Sequence, residues 1–367
     1  MKIGLFFTDF FRDIGNFFRS GTVLGVDIGT ASVKLVELGM KQERFTLLNY
    51  GILESREYLI HPNRAIQTSS LKISEEDATA LLKSALLEMK PKARIAVASI
   101  PAFAAFMTVL DMPLLSREET MKAVLFQAPQ HIPLPIKEVA LDWMKVDEFD
   151  TPERTRYQRI FLIAIPEAII HSYKTVFHDA GLNLTALEVD GLALARVLFP
   201  TESPSTLLID LGAETTNMFV VGRSTIQYAS ETDYGGIYLT QAIGRSLGIT
   251  PMRAEELKRR KGLLKGGAES ELSTLTLPYL DVILQEVSHV REVYERRYSK
   301  KVERIMLVGG AANLLGVEKY FSAETGLPAI SPNALRGMEY DLRLEPVLRE
   351  LQNELPVAIG LAKRYFA

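Results

Sequence analysis

Apolar positions along this chain change period several times, and each change marks an element. The run "LGVDIGTASVKLVEL", residues 24–38, alternates as two strands, 23–28 and 33–38, and a third follows at 43–52. The polar turns between them predict an antiparallel meander. Residues 53–72 have no clear period and read as loop with at most one short strand. In "ISEEDATALLKSALLEMK" the period becomes helical: Ser74 is the expected N-cap with Asp77 three places on, and Ala78, Leu81, Leu82, Ala85 and Met89 share one face.

"ARIAVASIP" (93–101) is a buried strand ended by proline, and "AAFMTVLDMP" is another. Ser116 caps a helix, "REETMKAVLFQAP", that Pro129 breaks; "HIPLPIKEVALDWMKVDEF" then passes through a proline-rich turn into a strand. "TPERTRYQ" reads as a polar hairpin tip, "RIFLIAIP" as an apolar strand and "EAIIHSYKTVFHDAGL" as a helix with Gly181 at its C-terminal cap. Residues 101 to about 180 thus predict a strand, helix, strand, strand, helix unit inserted into the larger domain.

The first 20 residues are patterned differently. Phe6, Phe7, Phe10, Phe11, Ile14, Phe17 and Phe18 recur at helical spacing, with Asp9, Arg12, Asp13, Asn16 and Arg19 opposite. The charges interrupt the segment well before the roughly 20 apolar residues that span a bilayer, so it reads as neither a membrane span nor a signal peptide. Such a face must be covered by its own domain, a membrane surface or a partner groove. As an interfacial anchor it makes deletion of residues 1–19 abolish vesicle co-sedimentation.

One pattern occurs twice. "STLLIDLGAETTNMFVV" (205–221) repeats the order of residues 22–36: an apolar strand, Asp-x-Gly, small hydroxyl residues, a second strand. Asp27 stands with Gly29, and Asp210 with Gly212. Two ordinary hairpins explain either copy alone but not their matched order, which is that of an internal duplication. The chemistry that suits the pair is phosphate and Mg²⁺ binding. Gly29 permits a tight turn in which the amides of residues 29–32 point at an oxyanion, with Thr30 and Ser32 adding hydroxyls. Asp27 would act on phosphate only through a hydrated Mg²⁺, which takes one or two carboxylates and keeps several waters. Two facing hairpins then hold a triphosphate between them. A third element, "RIMLVGGAANLLGVEKYF" (304–321), has an apolar strand, Gly309-Gly310 and a helix expected to begin near Asn313, where a nucleotide can approach the backbone closely.

These residues carry a resemblance. Asp27-x-Gly-x-x-x-x-Lys34, Asp210-x-Gly with Thr215 and Thr216, and Val308-Gly309-Gly310-Ala311 resemble the two phosphate motifs and the adenosine motif of the actin, sugar-kinase and heat-shock-chaperone ATPases. Within that superfamily "GVDIGTASVKLVEL", "IPLPIKEVALDW", "LEVDGLALAR", "YGGIYLTQAI", "AEELKRRKG" and "PVAIGLAKRYF" resemble the type IV pilus assembly family PilM, over nearly all of the chain from residue 21. The resemblance implies an α/β, actin-like (ribonuclease H-like) two-lobed fold with duplicated mixed sheets and a small inserted α+β subdomain. It divides the chain into an N-terminal helix (1–20), a first lobe (21–100 and 181–203) interrupted by the insertion (101–180), and a second lobe with core (204–242, 303–352) and adenine-side (243–302) parts. A C-terminal helix (353–367) returns to the first lobe.

It also implies ATP and Mg²⁺ as cofactors, with Asp27 and Asp210 on the metal through water. The phosphates and adenosine would meet Gly29, Thr30, Ala31, Ser32, Gly212, Ala213, Thr215, Thr216, Gly309, Gly310, Ala311 and Asn313. Lys34 would reach the β-phosphate; Glu255 and Lys258 would hold ribose and adenine, where spacing alone equally allows a solvated helix face. Actins position the hydrolytic water with a glutamine ahead of the second hairpin, but "LEVDGLALARVLFP" offers only Glu188, Asp190 and Arg196, so Glu188 or Asp190 is the candidate and binding is expected more firmly than turnover. "GLLKGGAESELSTLTLP" (262–278) reads as a flexible loop beside the adenine pocket.

Composition changes the picture in three places. The 367 residues, 47% apolar, allow two substantial lobes. With 42 basic and 45 acidic residues, a net charge of −3, no field favours nucleic acid. The absence of cysteine excludes disulfides and thiolate metal sites and suits a reducing cytosol. By resemblance, the chain is a cytoplasmic ATP-binding adaptor, peripheral at the inner membrane, in a pilus or type II secretion platform. Its partner is the cytoplasmic N-terminal tail of a PilN-like membrane protein; self-association and a membrane contact through residues 1–19 stay open. An FtsA-like polymerising division protein and a small-molecule kinase of the superfamily are the alternatives.

Overall fold

The computed structural model describes residues 21–55, 74–152, 154–200, 203–263 and 269–367. The aromatic N-terminal helix expected at 1–20 and most of the loop expected at 53–72 lie outside them.

Three strands open the first lobe: β1 (Thr22–Ile28), β2 (Ser32–Lys41) and β3 (Arg44–Glu54). Helix α1 (Glu75–Met89) follows, capped by the Ser74 hydroxyl, which accepts from the Asp77 amide, and then β4 (Ile95–Ile100). Ala78, Leu82 and Ala85 of α1 are buried, whereas Leu81 and Met89 lie half-buried at the edge of the same face.

The insertion contributes β5 (Phe106–Pro113), α2 (Arg117–Gln127), β6 (Val139–Asp150) and β7 (Arg156–Pro166). Ser116 and Glu119 cap α2 reciprocally, and Pro129 ends it in a short 3₁₀ turn. The strands pair antiparallel in the order β5-β7-β6, and Leu110, Met112, Val124, Ile160 and Leu162 form a local core beneath α2. Helix α3 (Glu167–Asp179), which the sequence reading groups with this unit, buries Ile169, Ile170, Tyr173, Val176 and Phe177 in the first lobe's core instead, against α1 and β8 (Asn183–Val189).

Helix α4 (Asp190–Leu198) leads to the second lobe: β9 (Thr206–Leu211), β10 (Thr216–Gly222), β11 (Thr225–Thr232), α5 (Gly236–Leu247), α6 (Pro251–Lys261) and α7 (Glu269–Tyr298). After them come β12 (Arg304–Val308), α8 (Val317–Thr325), β13 (Ala329–Ile330), α9 (Glu345–Glu350) and α10 (Pro356–Arg364). Two expectations are corrected here. The flexible loop at 262–278 gives way to helix from Glu269, with Pro278 inside it, because Leu280, Ile283, Leu284, Val287, Val290 and Tyr294 form a stripe that the second lobe buries. The helix expected near Asn313 starts at Val317; residues 310–313 form a 3₁₀ turn.

The duplication extends to topology. One sheet runs β3-β2-β1-β4-β8 and the other β11-β10-β9-β12-β13; in each, three antiparallel strands are followed by two parallel ones. A continuous buried cluster joins the lobes, from Val26 and Leu35 through α4 and α10 to Phe219, Ile226 and Met306. Helix α10 returns to lie on β1 and α4. It comes so near that a Cβ on Gly25 would sit 1.9 Å from the Ala358 carbonyl oxygen, so only glycine admits the helix.

Candidate functional site

A cleft of about 280 Å³ lies between the lobes, lined by both Asp-x-Gly turns, the 309–313 turn and α5 and α6. In the first hairpin Asp27 pairs in register with Lys34, whose Nζ donates to Asp27 Oδ2 at 3.2 Å, while Ser99 Oγ donates to Oδ1 at 2.7 Å. In the second, Asp210 pairs with Asn217. Both turns close alike: the Gly29 amide donates to the Ser32 carbonyl and the Gly212 amide to that of Thr215, each at 3.0 Å. This corrects the expectation that all four amides of 29–32 face an oxyanion. The Gly29 amide is spent on the hairpin, and this turn is left with the donors of Thr30, Ala31 and Ser32.

The cleft is acidic around one lysine. Burial, opposed by Lys34 and assisted by Asp27, pushes Asp210 up to about 6. Burial, then the charges of Asp210 and Asp27, raise Asp190 well above the usual carboxylate range. Burial alone would lower the Lys34 pKa, but Asp27, Asp210 and Glu354 together hold it above its ordinary value. Asp190 begins α4, takes the Gly191 amide at 2.6 Å and the Asn217 amide group at 3.4 Å. The Oδ1 of Asn217 is buried, and among the described residues it has no hydrogen-bond partner.

Asp27 and Asp190 already accept from protein donors, but the orphaned amide oxygen of Asn217, paired in register with Asp210, lacks one among the described residues. The waters of a hydrated Mg²⁺ supply donors and positive charge together. Among the described residues no three His, Cys, Asp or Glu side chains are gathered closely enough to hold a metal directly; outer-shell binding does not require that. These residues therefore fit the ion through its water.

The side of the cleft where the resemblance expects adenosine is as tightly specified. Gly309 has φ +89°, and a Cβ there would lie 2.3 Å from Asp210 Oδ1, which brings the third motif against the second. Ala311 and Asn313 line the cleft, and Asn313 Nδ2 donates to Glu354 at 2.8 Å. Glu255 and Lys258 are buried rather than on a solvated face. Lys258 Nζ lies 2.6 Å from Glu255 and donates to the Gly236 carbonyl at 3.0 Å and Thr240 at 2.9 Å. Burial lowers the Lys258 pKa despite Glu255; that of Glu255, raised by burial, ends below its usual range through Lys258 and its hydrogen bonds.

Two candidates stand elsewhere. Thr216 is fully buried and its hydroxyl donates to the Tyr234 carbonyl at 2.7 Å, outside the cleft lining that holds Thr215. Glu188, also outside it, is clamped by Arg196 at 2.5 and 2.6 Å and by Arg364 at 2.5 Å. Burial raises its pKa, but the arginines outweigh that and hold it low. Asp190 is thus the carboxylate of that segment that reaches the cleft. Glu54, Pro101, Phe103, Asn217, Arg259 and Glu354 line it too and escaped the sequence reading. Only Asn217 carried a signal, since the repeat places it at the position of Lys34.

Residues 25–366 match the profile of the family described as type IV pilus assembly protein PilM. Cell division protein FtsA of Enterococcus faecalis is 21% identical over 335 residues, 82% of this chain and 76% of that one. Among solved structures, the PilM-PilN type IV pilus biogenesis complex superposes with a TM-score of 0.78 at 22% identity, covering 94% of this chain and 98% of that one. MreB5 of Spiroplasma citri bound to AMPPNP gives 0.52 at 14% identity, covering 92% and 94%. The fold is actin-like, as the sequence resemblance implies.

Proposed function

Because the chain belongs to the type IV pilus assembly protein PilM family, we propose that it is an ATP-binding adaptor of a type IV pilus or related secretion platform at the cytoplasmic face of the inner membrane. The observation that carries this is the pair of matched turns, Asp27–Gly29 and Asp210–Gly212, lining one cleft with Lys34 and closed by Gly309.

In this reading Asp27 and Asp210 hold a hydrated Mg²⁺, which when bound offsets phosphate charge and the carboxylates together. Lys34 and the amides of Thr30 and Ala31 bind phosphate; Glu255 and Lys258 bind ribose and base. Asp190, steered by Asn217, is the group available to orient a water, and with no glutamine in that segment turnover is slow. Nucleotide biases the angle between the lobes and so the shape of a partner groove near the insertion. The partner is the cytoplasmic N-terminal tail of a PilN-like protein, a reading supported by the likeness to the PilM-PilN complex.

Calorimetry with Mg²⁺ and ATP on the native chain, Asp27→Ala and Asp210→Ala tests the site: binding is expected in the first and lost in both variants. A native chain that binds no nucleotide overturns it. A synthetic PilN-like tail that fails to bind with or without ATP overturns the adaptor role. The FtsA likeness favours a second reading, a polymerising tether, which ATP-dependent pelleting of filaments would support.

A further inference from the structure

Charge also joins the lobes, and two of the places differ in character. Away from the cleft, the insertion is joined to the second lobe by a cluster of contacts around the buried pair Arg159 and Asp147. Arg159, 7% exposed, reaches Asp111 at 2.8 Å and Asp147 at 3.6 Å and lies 3.9 Å over the Tyr298 ring of α7. Lys300 joins Asp147 at 2.5 Å, and Arg297 donates to the Val109 carbonyl at 3.2 Å. Separating the insertion from the second lobe leaves Arg159 with its own carboxylates but takes Lys300 from the buried Asp147 and breaks the Tyr298 and Val109 contacts with it.

At the rim of the cleft the ion pair is single and exposed. Arg259 Nη1 of α6 donates to Glu54 at the end of β3 at 2.7 Å; the side chains are 54% and 41% exposed, and both line the cleft. The Arg259 Nε donates to Glu255 at 2.9 Å, so the bridge connects the first lobe directly to the buried Glu255–Lys258–Thr240 group. An exposed pair is weak and is screened by salt. When the lobes part, this single contact yields before the several contacts around Asp147 do.

We propose that Glu54 and Arg259 form a gate over the cleft, whose opening admits and releases the nucleotide while the insertion stays bound to the second lobe. The inference rests on the nucleotide reading above and adds a residue, Glu54, with no part in binding the nucleotide itself. Closing the rim slows exchange in both directions; it adds little to equilibrium affinity, because the same pair is closed without ligand.

The test follows release of a fluorescent ATP analogue after chasing with excess ATP, in native protein, Glu54→Gln and Glu54→Arg, at low and high salt. Release is expected about two- to fivefold faster in Glu54→Gln, the size of effect an exposed pair allows, and faster still in Glu54→Arg, with a smaller response to salt than in the native chain. Melting temperature and equilibrium affinity should stay near native, which a merely structural role for Glu54 would not predict. Native binding with unchanged release in both variants overturns the gate alone. A native protein that binds no analogue overturns the nucleotide reading, and the gate with it.

Discussion

Asn217 stands in the second hairpin where Lys34 stands in the first: each faces the aspartate of its own turn across the ladder, Asp210 and Asp27 respectively. Duplication thus supplied two frames, and the cleft uses one side chain as a cation and the other as a neutral partner of Asp190. The asymmetry leaves Lys34 balancing Asp27, Asp210 and Glu354.

Lys34→Ala should therefore weaken Mg²⁺–ATP binding by about 10- to 100-fold, the range for one lost charge-assisted hydrogen bond. Calorimetry at constant salt measures it. Lys34→Arg should recover part of the affinity, because the charge returns in a bulkier shape.

Asp210 predicts a pH dependence of opposite sign to the usual carboxylate. Its folded value of about 6 lies above the ordinary 3.8, so the folded chain holds the extra proton. Its contribution to stability is full below about pH 4 and is lost as pH rises through 6, on the order of 3 kcal/mol in all. Chemical denaturation without Mg²⁺ between pH 5 and 8 should show the upper part of this decline, and Asp210→Asn should make it shallower, leaving the slope of the likewise raised Asp190, while abolishing the metal-dependent part of nucleotide binding.

Glu188 and Asp190 should separate stability from turnover. Glu188 ties α4 to α10 through Arg196 and Arg364, so Glu188→Ala takes the carboxylate from two half-buried arginines and should cost about 3–5 kcal/mol in unfolding free energy. Asp190→Asn should instead leave nucleotide binding within a few fold and reduce phosphate release, read by a phosphate-sensor assay.

Gly309→Ala is expected to fail twice. The new methyl would press on Asp210 Oδ1 and the Leu211 carbonyl at a positive φ, costing about 2–4 kcal/mol and displacing the carboxylate proposed to hold the metal's water. Thermal melting with and without Mg²⁺–ATP should show both a lower midpoint and no upward shift on adding ligand.

Local order in this chain was legible because it is written in contiguous residues. The Asp-x-Gly turns with the strands on either side of them and the Ser74 and Ser116 caps all rest on short local spacings, whereas β11, the third strand of the second copy, was not read. Competition between distant groups was not. Glu188 looked as available as Asp190 until Arg364, 176 positions away in sequence, took it. Thr216 looked like Thr215 until the Tyr234 carbonyl claimed its hydroxyl. Glu354 and Pro101 reach the cleft from elements whose own patterns say nothing of nucleotides. The helical start of α7 was hidden because its glycine- and serine-rich approach lacks the apolar stripe that packing rewards only further on.

Helix α10 covers β1 and α4 with residues synthesised hundreds of positions after Gly25, the glycine that admits it. On the ribosome the first lobe therefore waits, its central sheet bare on one side, until the whole second lobe has been made. The second lobe encloses most of its own core within residues 207–327 and has no such delay. Folding order should run against chain order, and a nascent chain stalled before residue 356 should expose apolar surface to chaperones from its oldest part rather than its newest.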